Sequence, residues 1–395
     1  MRCAKTVTLK TSSNATKTDR VTKKDQAMSI FRNLTAGLML SGLLLPVAAE
    51  AEITIAVVGA MAGPFEKIGK EFKQGTRGAV KEINDGGGLL GQKVKFIVRD
   101  DNCNPEEAKK IASEIVELDI AFVMGHLCSD ASIAASDIYE KHNLLAMSPS
   151  STSPELTDRG YNLAFRTTGR DDMQGFVLAE HILRNFKTKR LAVIYDDNGY
   201  SKGLTKTTGD FVKKGGMKDI YQVMAPKAEP FDFSAIIARM KKDNIQLAFY
   251  PGLPGPVLAF ARQIKEAKLK VRLLGSDAFS GIKFDDSNRR LLDGAQFSFA
   301  PDPKDDRRNK KLVKWYKSEG YSPEAFAFYS YGAVQVWAKA VKAAGTLDAA
   351  KVAQTLRSKD FDTVLGKISF DDKGDISNPG FVLYFINKGK RYYLD

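Results

Sequence analysis

Residues 120–142 read IAFVMGHLCSDASIAASDIYEKH. Five apolar residues come first, without a polar alternation. A glycine follows, and Cys128-Ser129-Asp130 then opens a stretch with helical periodicity. An unbroken apolar run bounded by a turn and a helix reads as a strand buried on both faces. Such strands belong to parallel sheets covered by helices.

The same unit repeats outward in both directions. Strands are expected at 53–58, 94–99 and 144–147, with a short one at 162–166. Helices are expected after 58 to about residue 84, and from Asn104-Pro105-Glu106-Glu107. That tetrad supplies a capping side chain, a proline in the first turn and carboxylates at the positive end of the helix dipole. A second series follows, with strands at 190–195, 220–223, 245–250 and 271–274. Helices at 172–186, 201–214, 234–242 and 256–267 alternate with them.

One compact sheet of this type rarely holds so many strands. The pattern therefore predicts an α/β protein of two doubly wound parallel-sheet lobes, divided near residues 167–171. After both series, Ser322-Pro323-Glu324 is expected to cap a long helix ending near residue 344. Final strands at 366–370 and 381–386, around the Asp371-Asp372-Lys373-Gly374 turn, read as antiparallel. A chain that returns after two complete units crosses between lobes more than once, which makes a hinge. The expected division is residues 52–170 plus 301–379 for lobe 1, and 171–300 plus 380–395 for lobe 2.

The 395 residues are 43% hydrophobic and 27% charged, a globular balance. Residues 1–27 are basic and poor in apolar side chains, an extension or an upstream start. Residues 28–51 carry Arg32, then an apolar run at 34–47, then small residues at Ala49 and Ala51: a secretory signal. A run of about 14 residues is short of the roughly 20 needed to span a bilayer. After residue 49 there remain 52 Lys and Arg against 45 Asp and Glu, a net charge of +7 rather than +13. No basic stripe interleaves with aromatics, so no nucleic-acid partner is expected.

Cys103 and Cys128 each follow a strand end in an exported chain, where paired cysteines are normally oxidised. A bridge there would stabilise by roughly 3 kcal/mol in the chain-entropy model. The alternative is a Cys128 nucleophile with His126 as its base. Ser129 reads as a helix N-cap whose neighbouring N–H groups can hold a carboxylate. The next strand ends in Ser148-Pro149-Ser150-Ser151-Thr152-Ser153-Pro154, so two adjacent strand ends deliver hydroxyls and amides to one crevice. No Lys or Arg accompanies them, which favours a carboxylate over a phosphate.

In the second series Asp277 follows one strand, and Asp196, Asp197 and Tyr200 follow another. Individually these acids read best as turn or cap residues. Together with the first crevice they describe a clamp for a zwitterion, with Leu127, Leu253 and Phe326 beside its side chain. Dinucleotide, phosphate-loop, calcium-hand and metal patterns all fail on order or spacing. No cofactor is expected, and no nucleophile–base motif marks an enzyme.

Several runs resemble the periplasmic Leu/Ile/Val-binding proteins of ABC importers: Gly59-Ala60-Met61-Ala62-Gly63-Pro64, Gly125-His126-Leu127-Cys128-Ser129, Ala135-Ser136-Asp137-Ile138-Tyr139-Glu140, Ser153-Pro154-Glu155-Leu156-Thr157 and Arg166-Thr167-Thr168-Gly169. The resemblance extends from Ile53 to the C-terminal strands. It implies a type I periplasmic binding fold with three crossovers that delivers an L-amino acid, branched-chain or aliphatic, to a membrane ABC permease, and a monomer is the simplest expectation. It implies that Ser129, Ser150, Ser151 and Thr152 hold the α-carboxylate and α-ammonium, and that Tyr200 closes over the ligand. Asp277 stands where the family usually has Glu, and Ile68 and Leu253 where close relatives carry Tyr. Another amino acid, an amide or urea-like solute, or a ligand-sensing receptor domain are the alternatives.

Overall fold

The computed structural model describes residues 52–377 and 380–394. The expected basic extension and signal segment lie outside them. The first sheet is built from β1 (Ile53–Gly59), β2 (Val94–Asp100), β3 (Ile120–Met124), β4 (Ala146–Ser148) and β5 (Ala164–Arg166). Its order is β2-β1-β3-β4-β5, and every neighbour is parallel. Helices α1 (Glu66–Asp85), α2 (Pro105–Val116), α3 (Ser129–Lys141) and the short α4 (Glu155–Asp158) connect the strands. Asn104 caps α2 as its sequence predicts, its Oδ1 accepting from the N–H groups of Glu106 and Glu107 at 2.9 and 3.1 Å.

The chain then leaves this sheet through α5 (Asp171–Phe186). The second sheet holds β6 (Leu191–Tyr195), β7 (Ile220–Met224), β8 (Leu247–Phe249), β9 (Arg272–Gly275) and β10 (Gln296–Phe299), with α6 (Gly199–Lys214), α7 (Ser234–Lys242) and α8 (Pro254–Glu266) between them. From β10 the chain returns to the first sheet. After α9 (Lys310–Ser318), the helix α10 (Ala325–Ala344) lies along α1, and Trp337 stacks on Phe122 of β3 with ring centroids 4.8 Å apart. The approach is close: a Cβ at Gly75 of α1 would meet the Ala327 carbonyl oxygen at 2.2 Å. Truncating a buried aromatic of this size costs about 3–5 kcal/mol.

Helix α11 (Ala349–Ser358) and the two-stranded β11 (Phe361–Thr363) and β12 (Gly366–Ile368) follow. A third crossing ends in β13 (Val382–Asn387) and β14 (Lys390–Tyr393), giving the second sheet the order β14-β13-β10-β9-β8-β6-β7. β13 runs antiparallel to both of its neighbours.

Two sequence expectations change here. The strands near 366–370 and 381–386 do not pair with each other: β12 pairs with β11, while β13 pairs with β10 and β14. The intervening turn closes only a bridge between Phe370 and Ile376. The start of α10 is not capped by a side chain either, because the Glu324 carboxylate is committed to ion pairs with Lys67 and Arg391. Three crossings join a parallel sheet to one that is parallel apart from its antiparallel edge strands β13 and β14, so the fold is an α/β pair of doubly wound lobes with a multi-stranded hinge.

Candidate functional site

The carboxyl ends of the two sheets face a cavity of about 110 Å³. On one wall, β3 and β4 run in register, with Met124 beside Met147, so the loops that follow them lie side by side. Gly125 makes the turn at φ +146°, where a Cβ would meet the Val58 carbonyl oxygen at 2.2 Å. The chain then runs through His126 and Leu127 to Cys128, the N-cap of α3.

Most hydroxyls on this wall tie the two loops together. Ser148 Oγ donates to the His126 carbonyl at 2.7 Å and accepts from the Ser151 N–H at 2.9 Å. Ser150 Oγ donates to the Leu127 carbonyl at 2.7 Å. Ser129 is not the cap the sequence suggests. It is the first residue of α3, and its Oγ accepts from the Ser153 N–H at 3.2 Å, stitching one loop to the other. The side chains of Ser129, Ser150 and Thr152 reach the cavity lining, and Thr152 Oγ1 is buried without a well-formed hydrogen bond. Ser151 is placed differently: its hydroxyl pairs with Ser132 Oγ at 2.7 Å, behind the lining, and its carbonyl accepts from Arg166. The first N–H groups of α3 have no partner within the helix and carry its positive dipole end.

Cys103 and Cys128 form a disulfide across 25 residues with their Cα atoms 5.3 Å apart, and both border the cavity. This removes the Cys–His nucleophile. His126 itself is buried, with Nδ1 2.6 Å from Asp101 and Nε2 2.9 Å from the Tyr139 hydroxyl. The ring braces the loop from behind, while its backbone carbonyl receives the serine hydroxyls.

The opposite wall comes from the second sheet. Asp277 follows β9 and opens a 3-10 turn, Asp277–Gly281. Its Oδ1 accepts from the Tyr200 hydroxyl at 2.7 Å and from Gln174 Nε2 at 3.0 Å. Burial pushes the Asp277 pKa up, and those two donors draw it partly back. The Tyr200 pKa is raised by burial and then by the Asp277 charge, so it remains a neutral donor.

A second carboxyl, Asp171, stands at the start of α5, at the point where the sequence divides the two lobes. It is buried, and its pKa is raised first by burial and next by the charge of Asp277. Neither oxygen has a well-formed hydrogen bond, although the Thr152 hydroxyl lies close enough to draw the pKa partway down. An acid at a helix start is favoured by the dipole in any helix, so the sequence carries no sign of this burial. Two buried carboxyls with too few donors form a site that a cation would complete.

The other acidic candidates lie elsewhere. Asp196 accepts from the Tyr250 hydroxyl and from the Leu253 N–H at 2.9 Å, fixing the loop that carries Leu253. Asp197 is a surface partner of Lys202 and Lys227. Between the two polar walls the lining is apolar: Phe65, Ile68, Leu127, Leu253, Pro254, Ala278 and Phe326. Phe65, Pro254 and Ala278 were not singled out in the sequence, since nothing local distinguishes them from core residues. Asp130 Oδ2 accepts from the Gly199 N–H at 3.1 Å, joining the start of α3 to the start of α6 across the cleft.

Residues 52–390 match the family model described as periplasmic binding protein. The chain is 34% identical over 342 residues to Leu/Ile/Val-binding protein homolog 1 of Brucella abortus, covering 86% of this chain and 92% of that one. It is also 34% identical over 334 residues to the Leu/Ile/Val-binding protein of Escherichia coli, covering 84% and 90%. Among solved structures, an ABC transporter substrate-binding protein of Desulfitobacterium hafniense in complex with Leu superposes with a TM-score of 0.74 at 27% identity, covering 87% of this chain and 100% of that one. A leucine-binding protein of Thermotoga maritima gives a TM-score of 0.79 at 24% identity, with 87% and 98% covered, a likeness of fold. The chain belongs to the periplasmic binding protein family.

Proposed function

We propose that this protein is the periplasmic solute-binding component of an ABC importer, and that it captures a branched-chain or other aliphatic L-amino acid between its two lobes. The observation that carries this reading is the opposition of two unlike walls across one apolar cavity. One wall offers hydroxyls and helix N–H groups; the other offers Asp277, buried and short of positive charge. A free α-amino acid presents a carboxylate and an ammonium a few ångströms apart, which suits both walls at once.

The α-carboxylate is assigned to Ser129, Ser150, Thr152 and the backbone N–H groups beside them. The ammonium is assigned to Asp277, with Thr152 and Asp171 near it. Ser151 contributes through the backbone it anchors. Tyr200 closes over the ligand while holding Asp277. Ile68, Leu127, Leu253 and Phe326 receive the side chain. Burying both charges is tolerable only when each is paired, which selects zwitterions over simple acids or amines.

Residues 52–170 plus 301–379 and residues 171–300 plus 380–395 are the two bodies that close, as a monomer, and the closed form is the one a membrane permease recognises. Binding without turnover is expected, with micromolar affinity, about −8 kcal/mol. The relatives named for Leu, Ile and Val support the ligand class. A thermal-shift series over the twenty L-amino acids, with D-leucine, isovalerate and isoamylamine as controls, tests it. Leu, Ile or Val should raise the melting temperature, and the three controls should not. A flat response to every amino acid would remove the reading.

A further inference from the structure

The two lobes also meet away from the ligand cavity. Lys67, in the first turn of α1, sends its ammonium across to the second lobe. There it donates to the carbonyls of Ser280 at 2.8 Å and Ile282 at 3.3 Å. Ser280 belongs to the 3-10 turn that begins with Asp277, and Ile282 is the residue that follows it. On its own side, Lys67 pairs with Glu324 at 2.9 Å, just ahead of α10. Glu324 in turn pairs with Arg391 of β14, again from the second lobe. The same small cluster therefore takes residues from both lobes alternately.

The cluster is enclosed. Glu71, one turn on from Lys67, is 4% exposed, and its Oε2 has no hydrogen-bond partner. Lys67 and Glu324 side chains are 21% and 33% exposed, and Arg391 is 18% exposed. The charged groups acting on Lys67 are Glu71 on its own helix, Glu324, Arg391, and Lys304 from the second crossover, while Asp302 of that crossover acts on Glu71 and Arg391. Burial and then the Arg391 charge push the Lys67 pKa down, while the Glu71 charge draws it partly back. We take the ammonium as charged, because separating it from Glu324 would strand a carboxylate.

We propose that Lys67, with Glu324 and Arg391, is an interlobe latch that positions the Asp277-bearing turn, so that cleft closure and presentation of Asp277 are a single event. This rests on the amino-acid reading only for the identity of the ligand. Lys67 does not touch the ligand cavity; it acts through Ser280 and Ile282, three and five residues after Asp277. An ammonium is well suited to this role, since it can donate to two carbonyls and a carboxylate at once. Opening the lobes would break the two contacts from Lys67 to the carbonyls of Ser280 and Ile282, separate Glu324 from Arg391, and uncover Glu71. The latch therefore favours the closed form over the open one by its differential contacts.

The test uses Lys67→Met, which keeps the stem and removes the donors, and Glu324→Gln, which keeps shape and loses charge. Stopped-flow fluorescence with leucine should show dissociation roughly 10- to 100-fold faster in Lys67→Met, with association changed little, the pattern expected when a buried charge pair is broken. Small-angle scattering at saturating leucine should show a larger radius for Lys67→Met than for the parent. The double variant should cost less than the two single effects combined, since both remove one network. An unchanged dissociation rate and an unchanged radius in a folded Lys67→Met protein would overturn the latch. If Lys67→Met does not fold, Glu324→Gln alone decides by the same two readouts. Failure of the parent to bind any amino acid would instead sink the ligand assignment, and scattering of the unliganded variants would still read the latch.

Discussion

The two walls of the cleft solve opposite problems. The wall from β3 and β4 carries its polarity in many small dipoles: hydroxyls bonded to one another's loops, and helix N–H groups that exist whatever the side chains are. The wall from β9 concentrates its polarity in Asp277, held by Tyr200 and Gln174 and crowded by Asp171. Distributed dipoles tolerate the loss of a member, because the rest remain in place. A single buried charge has no substitute. The walls should therefore respond very differently to equivalent damage.

Asp277→Ala should show the largest effect. It leaves a ligand ammonium desolvated and unpaired, at a cost of roughly 2–4 kcal/mol, or about 30- to 1000-fold in Kd by titration calorimetry. Unchanged affinity would mean that the cation is held elsewhere and that the two walls are not the opposed pair described above.

Acid should come next. Burial raises the Asp277 carboxyl above its ordinary range, and an ammonium ligand requires it ionised. Binding then releases a proton: affinity is full above that raised pKa and declines as the pH falls through it. Calorimetry in buffers of different ionisation enthalpy should detect the released proton. Asp277→Asn should flatten the decline, and any fall that persists in this variant belongs to Asp171, whose pKa is raised by burial and by the Asp277 charge.

Ser129→Ala should have the smallest effect, within about tenfold in Kd, since one hydrogen bond to the Ser153 N–H is lost while the helix N–H groups stay. Abolished binding in a folded Ser129→Ala protein would show that the dipoles of this wall are not shared out as described.

Much of this was legible before any coordinates. Nine of the ten residues assigned to the ligand from sequence border the cavity, because parallel sheets place their working residues at strand ends. Ser151 is the exception, and the reason is local: in a run of four hydroxyl residues, only the backbone course decides which point forward. Strands β10, β11 and β14 are not anticipated by the sequence: each is short and interrupted by polar residues, β10 reading Gln-Phe-Ser-Phe and β14 Lys-Arg-Tyr-Tyr. Short strands of mixed polarity carry little signal of their own and form because a neighbour supplies hydrogen bonds. Among the described residues, no helix is long and apolar enough to cross a membrane.

Local order came from the chain itself: the apolar runs and the Asn104 cap are features of near neighbours. The meeting of Asp171 with Asp277, of Lys67 with the carbonyls beyond Asp277, and of β12 and β13 with other partners came from folding. Asp171 and Asp277, Lys67 and those carbonyls, and β13 and β10 lie tens to hundreds of residues apart, and periodicity reports which face of an element is apolar, not which distant face will cover it.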